Sequence, residues 1–352
     1  MFQPPRCPHP RCPRHRDPRP GFCRRHGRYV ALCRPRPVPR FRCTSCGRTF
    51  SRQTFRMDYR DHRPGLNARL FRALASGLGL RQSSRNLRLS RRCTELKARK
   101  VGRHLRRLHL SLCDELPQGS RLQFDELETY EGRRNTRPLS VPLLIERDSR
   151  FVIWAESAPI RASGRMSPQR RAAIAAEDAR RLRKDLSRRG ILRTFRRGAK
   201  LVTRLAQVGL ATDEKSAYPG LAREAFGAAR LQHTTTSSRL ARTTWNPLFP
   251  INHTEAVARD LTGRLRRESW LVSKRRRYLD VALHVFIAYR NYVRRRFNFD
   301  ECSAAQRLGL LPRRLTAEEL LSWRQELGSQ SIHPLARAQE SVEEWRARRQ
   351  AA

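Results

Sequence analysis

Six of the nine cysteines (Cys7, Cys12, Cys23, Cys33, Cys43 and Cys46) fall within the first 46 residues. Residues 1–50 are otherwise rich in Pro and Arg and show little helical periodicity. A disulfide framework belongs to an oxidising compartment, and nothing at Met1-Phe2-Gln3-Pro4-Pro5 reads as an export signal. Clustered thiols in a reducing compartment more often hold metal. Cys93, Cys113 and Cys302 are scattered and read as small buried apolar residues.

The segment Phe41 to Phe50 contains Cys43-Thr-Ser-Cys46-Gly47. Two thiolates at that spacing share one tetrahedral ion, and the glycine permits the turn beneath them. The expected partner pair is Cys7 and Cys12, and the ion zinc. His9, His15, Cys23 and Cys33 are spare ligands. The alternatives are reduced, unliganded cysteines in a disordered basic arm, or a disulfide.

The chain of 352 residues carries 76 basic and 31 acidic side chains, a formal charge of +45. Such a charge repels itself unless a polyanion is the partner. With 38% hydrophobic residues in clear apolar runs, folded modules are expected over disorder. No apolar stretch approaches the ~18 residues of a membrane span. Collagen-like, membrane-spanning and secreted classes fit poorly, which leaves an enzyme of acidic substrates or a nucleic-acid protein.

Leu66, Leu70, Phe71 and Leu74 recur at helical spacing, and Gly77 and Gly79 interrupt them. A second short helix is expected over residues 81–87, then a third over 91–105 with Ser90 as its cap. The third carries Arg91, Arg92, Lys97, Arg99, Lys100 and Arg103, which in a helix-turn-helix would lie in the major groove. The plainer alternative is a basic helical bundle with solvated arginines. Downstream, residues 121–157 read as strands, 168–189 as an Arg- and Ala-rich helix, 208–213 as a strand, and 254–297 as two helical stretches.

Acids are scarce enough that one inside an apolar strand needs a reason. Asp125 sits in Leu122-Gln-Phe-Asp-Glu-Leu, and Asp213 ends the run Val208-Gly-Leu-Ala-Thr-Asp. A buried unpaired carboxylate is costly, whereas two sharing a divalent ion are not. A two-metal site can activate water or a 3′-hydroxyl and stabilise the leaving oxygen of a phosphodiester. Taken singly, each Asp is more ordinarily a turn or cap residue. Asn252 and Glu255 lie three apart on a following helix, with Arg259 seven beyond Asn252.

Cysteine knuckle, helix-turn-helix, Phe124-Asp125-Glu126-Leu-Glu-Thr and Thr212-Asp213-Glu-Lys, in that order, resemble DDE-type transposases of bacterial insertion sequences. The stretches Arg264 to Lys274 and Tyr289-Arg-Asn-Tyr are similar to the closing helices of those proteins, and the resemblance covers roughly residues 5 to 300. It implies an α/β, RNase H-like mixed sheet flanked by helices, preceded by a small zinc ribbon and a helical helix-turn-helix domain. The implied boundaries are 1–55 for the ribbon, 60–115 for the helix-turn-helix, 118–297 for the catalytic domain and 298–352 for a basic helical tail.

The resemblance implies two Mg2+ or Mn2+ ions held by Asp125, Asp213 and a third residue. Counting back from Ser273-Lys274 puts Asn252 where the family carries glutamate, with Glu255 one turn away. The ligand is then Asn252 or Glu255, or the copy is inactive. Terminal inverted repeats and target duplex DNA are the implied partners, Arg259 and Lys274 the implied phosphate holders, and a homo-oligomer on DNA the implied assembly. Rivals are a non-catalytic zinc-ribbon and helix-turn-helix regulator, an RNA-binding protein, and a structure-specific nuclease of the same fold.

Overall fold

A computed structural model describes residues 2–31, 36–134, 136–162, 164–180, 184–266 and 270–324. The N-terminal unit holds α1 (Pro13–Arg16) and an antiparallel sheet in the order β1 (Cys23–Tyr29), β2 (Val38–Cys43) and β3 (Thr49–Ser51). Its interior is small: Phe22, Phe41 and Phe50 stack beside Cys7, Cys12 and Cys43.

Three helices follow, α2 (Leu66–Ala75), α3 (Leu80–Asn86) and α4 (Arg91–Leu112). Ser90 Oγ accepts the Cys93 N–H at 3.1 Å, the cap expected from sequence. Helix α4 runs seven residues beyond the expected end at 105. Leu108, His109 and Leu112 keep its apolar stripe in register, so nothing stops it there.

A six-stranded mixed sheet forms the centre. It contains β4 (Arg121–Tyr130), β5 (Pro138–Glu146), β6 (Val152–Ala155), β7 (Ala158–Pro159), β8 (Val208–Asp213) and β9 (Leu231–Thr236). The order is β6-β5-β4-β8-β9, with β7 also pairing β5. Strands β4, β5 and β6 are antiparallel neighbours, while β8 runs parallel to β4 and to β9.

Both sheet faces are covered. Leu122, Phe124 and Leu144 face the apolar cluster of α6 (Ser187–Ala199) and α7 (Ala217–Phe226), which extends into α2 and α4. Leu127, Val141, Leu143 and Ile145 face α8 (Phe249–Leu261) and α9 (Arg276–Ala288). Helix α4 crosses α9 at Gly102, where a Cβ would stand 2.7 Å from Val281 Cγ1.

The helix expected over 168–189 needs correction: its described residues form α5 (Pro168–Ala179) and the start of a second helix, α6. Helix α5 buries no residue, whereas α6 buries Ile191 and Phe195 on the sheet; the Ala-rich stretch lacks an apolar stripe that would carry one helix through. The helical tail expected from 298 packs on the core as far as residue 324. It includes α10 (Ala304–Arg307), which packs on residues 289–293, and α11 (Ala317–Ser322), which packs on α2 and α4; Leu308, Leu311, Leu315, Leu320 and Trp323 are buried in the same core. Trp323 meets His104 edge-on at 5.4 Å. Residues 325–352, with Trp345, lie outside the described residues. Among the described residues, no helix is long and apolar enough to cross a membrane.

Candidate functional site

Cys7, Cys12, Cys43 and Cys46 bring their sulfurs together within 4.8 Å of one another. Cys7 and Cys46 are 3.7 Å apart, and Cys12 and Cys43 are 3.8 Å apart. Zinc–sulfur bonds of ~2.3 Å set at tetrahedral angles require sulfurs about 3.8 Å apart, so this group fits such an ion. The fold prepares it locally. Gly47 adopts φ 70° beneath the knuckle and its N–H donates to the Cys43 carbonyl at 3.0 Å. Burial raises the Cys43 thiol, but the N–H groups of Cys46 and Ser45 outweigh it and bring it down to about 7. Burial pushes the Cys7 thiol up.

The spare ligands stand aside. His15 Nδ1 is bonded to the Cys7 carbonyl at 2.8 Å, and Cys23 lies in β1 outside the sulfur group. Cys33 lies outside the described residues. Of the scattered cysteines, Cys113 is buried as expected, while Cys93 and Cys302 are only half-buried.

The second group lies at the C-terminal end of β8. The parallel register pairs Arg121 with Gly209, Leu122 with Leu210 and Gln123 with Ala211. The ladder ends there; continuing its offset for two residues sets Asp125 opposite Asp213, and strand alternation turns both toward the α8 face. Burial raises the Asp125 carboxyl, the Glu126 N–H draws it down, and the Asp213 charge raises it further. The net result is about 6, despite a lowering contribution from Arg242.

Glu126, next along β4, points to the opposite face. Ser140 Oγ, Lys215 Nζ and Tyr218 Oη all donate to its carboxylate, the tyrosine at 2.8 Å. This network locks β4, β5 and α7 behind the two aspartates. Neither it nor Arg242 was singled out from sequence. The signal available was the adjacency of Glu126 to Asp125 and of Lys215 to Asp213.

Helix α8 begins at Phe249, earlier than residue 254. Gln123 anchors its start, donating to the Pro247 carbonyl at 2.8 Å and accepting the Ile251 N–H at 3.1 Å. Ile251, Thr254, Glu255 and Ala258 form its buried side, while Asn252 is half-buried. Glu255 therefore lies on the buried side of α8 with Ile251, whose N–H Gln123 accepts. Among the described residues, the four cysteines make a group within 4.8 Å; Glu255 does not join Asp125 and Asp213 into one. Arg259 is half-buried on the same helix.

The basic residues of α4 divide. Arg91, Arg92 and Arg103 are exposed, and Arg99 and Lys100 half-buried. Lys100 Nζ donates to the Tyr59 carbonyl at 2.6 Å. Lys97 does not belong with them. It is 4% exposed, and its amine lies 2.5 and 2.6 Å from the Asp61 carboxylate oxygens. It also donates to Asn67 Oδ1 at 3.0 Å and the Arg63 carbonyl at 2.8 Å. An ammonium so enclosed has no donor left for a phosphate. Lys274 is exposed and lines a cleft of about 560 Å³ with Arg81, Arg91, Arg99, Trp270 and Tyr278. It thus joins the helical unit's basic side.

Comparison with protein-family models and with curated proteins returns no match to this chain.

Proposed function

We propose that this chain is a DDE-type DNA transposase with an RNase H-like catalytic domain. The observation that carries the reading is the nearness of Asp125 and Asp213, close enough for the charge of one to raise the carboxyl of the other. Two scarce acids end up side by side on neighbouring parallel strands, under α8, in a chain of charge +45. The strand order, three antiparallel strands followed by two parallel ones, supports the fold assignment. The four-cysteine group and the exposed arginines of α4 support an N-terminal region that grips the element's ends.

In this reading Asp125 and Asp213 hold divalent metal, with Glu255 as the third carboxylate by its place on the buried side of α8. Bound Mg2+ or Mn2+ would supply activation of water and of a 3′-hydroxyl, and would stabilise the leaving oxygen. Arg242 draws the DNA backbone toward the pair, and the Glu126 network fixes β4 against α7 so that the carboxylates keep their spacing. The arginines of α4 neutralise phosphates of terminal repeats and target duplex. Two ends require at least two copies, so the working form is a homo-oligomer on DNA.

Strand transfer by the purified protein tests this, using labelled duplexes from the flanks of its own gene with Mg2+ or Mn2+. Joined products should form and be lost in Asp125→Ala and Asp213→Ala. Glu255→Ala should abolish joining and Asn252→Ala only weaken it. The reverse order makes Asn252 the ligand. Tight, salt-sensitive binding with no cleavage or joining under either metal overturns the catalytic assignment and leaves a DNA-binding regulator. Cleavage without joining leaves a nuclease.

A further inference from the structure

Arg290 is the largest fully buried side chain of the described residues, with 0% exposure. It sits in a single π-type turn, Tyr289–Val293, that continues α9. Its neighbours hold that turn in place. Asn291 exchanges two hydrogen bonds with the Val152 backbone at 2.9 and 2.8 Å, and Tyr292 Oη bonds His109 at 2.8 Å. The extra residue of a π turn re-aims the side chains that follow it. Here it delivers a guanidinium inward, and Nε, Nη1 and Nη2 all lack a hydrogen-bond partner among the described residues.

More positive charge converges on the same place. Arg150, in the β5–β6 turn, adopts φ 56°, a left-handed conformation costly for a side chain with a Cβ. Its guanidinium lies 4.3 Å from the Phe297 ring centre and 5.2 Å from that of Phe249, and its Nη1 is buried without a partner. Arg296 covers Phe297 at 4.8 Å. His253 of α8 sits between Phe249 and Phe297, its Nδ1 also buried and unbonded. Asp300 is the nearby acid, but Arg296 Nε at 2.7 Å and Arg307 Nη2 at 2.8 Å already engage it. Arg150, Arg296 and His253 are each half-buried. The charges of Arg294, Arg150 and Arg296 all act on Arg290, and those of Arg150 and Arg290 act on His253. Arg296 already donates from Nη1 to the Asp148 carbonyl at 2.7 Å.

Arginine cannot escape burial by losing its proton at neutral pH. A buried cation without an anion is strongly unfavourable, and aromatic stacking leaves its N–H donors unused. A water could take one or two of these donors but brings no charge. A tetrahedral oxyanion meets both needs, since its oxygens accept from several guanidinium forks at once. We propose that Arg290, Arg150, Arg296 and His253 form an oxyanion site for one phosphate group, carried by inorganic phosphate or by a nucleic-acid backbone. The site does not depend on the catalytic reading, because its chemistry involves neither Asp125 nor Asp213.

The test uses the full chain, with inorganic phosphate replacing chloride at constant ionic strength and neutral pH. The thermal midpoint of the wild type should rise saturably with phosphate, as a bound ligand requires. The rise should vanish in Arg290→Met and Arg150→Gln. In phosphate-free buffer Arg290→Met should melt above the wild type, since an unpaired buried charge is gone. If Arg290→Met fails to fold, Arg150→Gln on the half-buried turn carries the test.

Binding of a short DNA duplex then separates the two sources. If the backbone phosphate is the ligand, Arg150→Gln weakens DNA binding and reduces the log–log salt slope by about 0.9. Inorganic phosphate should then compete with the duplex on the wild type only. If free phosphate is the ligand, the thermal response persists while the variant binds DNA as the wild type does. An equal thermal response in wild type and both variants is a general salt effect and overturns the site, as does no response together with unchanged DNA binding.

Discussion

Replacing Lys97 with methionine separates a structural lysine from a DNA-contacting one. The side chain is 4% exposed and its ammonium contacts Asp61, Asn67 and the Arg63 carbonyl. Burial raises the Asp61 carboxyl, but the bonds from Lys97, Asn67 and the Arg63 N–H outweigh it and hold the group below its usual range. Lys97→Met leaves Asp61 buried with Asn67 Nδ2 at 2.9 Å and the Arg63 N–H at 3.0 Å, and with no cation. Breaking one side of such a pair costs about 3–5 kcal/mol. Urea unfolding followed by circular dichroism should show that loss as a lower midpoint at unchanged slope. Asp61→Asn added to Lys97→Met should restore part of it, because the stranded charge is removed. DNA affinity of the folded variant should keep its salt slope, whereas Arg91→Ala should reduce the slope by about 0.9. A Lys97→Met protein of wild-type stability that lost such a slope increment would refute the burial argument and return Lys97 to the DNA face.

The four-cysteine group should hold one zinc per chain, measurable by a chromogenic chelator assay. Cys43→Ser should lose the metal and unfold the N-terminal sheet while the six-stranded unit stays folded; a wild-type chain refolded with zinc that retains none would contradict this. Burial holds His104 and His109 neutral, at about 4 each. Because the unfolded chain binds those protons near 6.5, stability should be complete above that pH and fall as pH drops toward 4, by about 3 kcal/mol per histidine. Urea midpoints unchanged between pH 7 and 5 would be inconsistent with that burial. Gly102→Ala should destabilise by about 1–3 kcal/mol, because its methyl would meet the Val281 backbone oxygen at 2.9 Å. A stabilised variant would mean that α4 and α9 are not pressed together there.

Much of what is local could be read directly. Cys43-Thr-Ser-Cys46-Gly47 announces its turn because two thiolates and a glycine leave few geometries. Ser90 caps α4 because its Oγ reaches a donor three residues away. The strands around Asp125 and Asp213 follow from apolar runs, and the charge of +45 follows from counting. Each of these depends on residues within a turn or two of one another, or on composition alone.

What the tertiary structure decided concerns residues far apart. Lys97 looks like its basic neighbours on α4 until Asp61, 36 positions earlier, encloses it. Asp125 and Asp213 become neighbours only because β8 pairs in parallel with β4 at one register; a shift of one residue would turn one acid to the other face. Glu255 rather than Asn252 occupies the buried side of α8 because Gln123 anchors that helix's start. Arg290 reads as one more arginine among many, yet the π turn and Asn291 carry it into the interior. Local pattern sets which elements form and which faces are apolar. The partner of a buried charge depends on how those elements pack, and that information is spread across the whole chain.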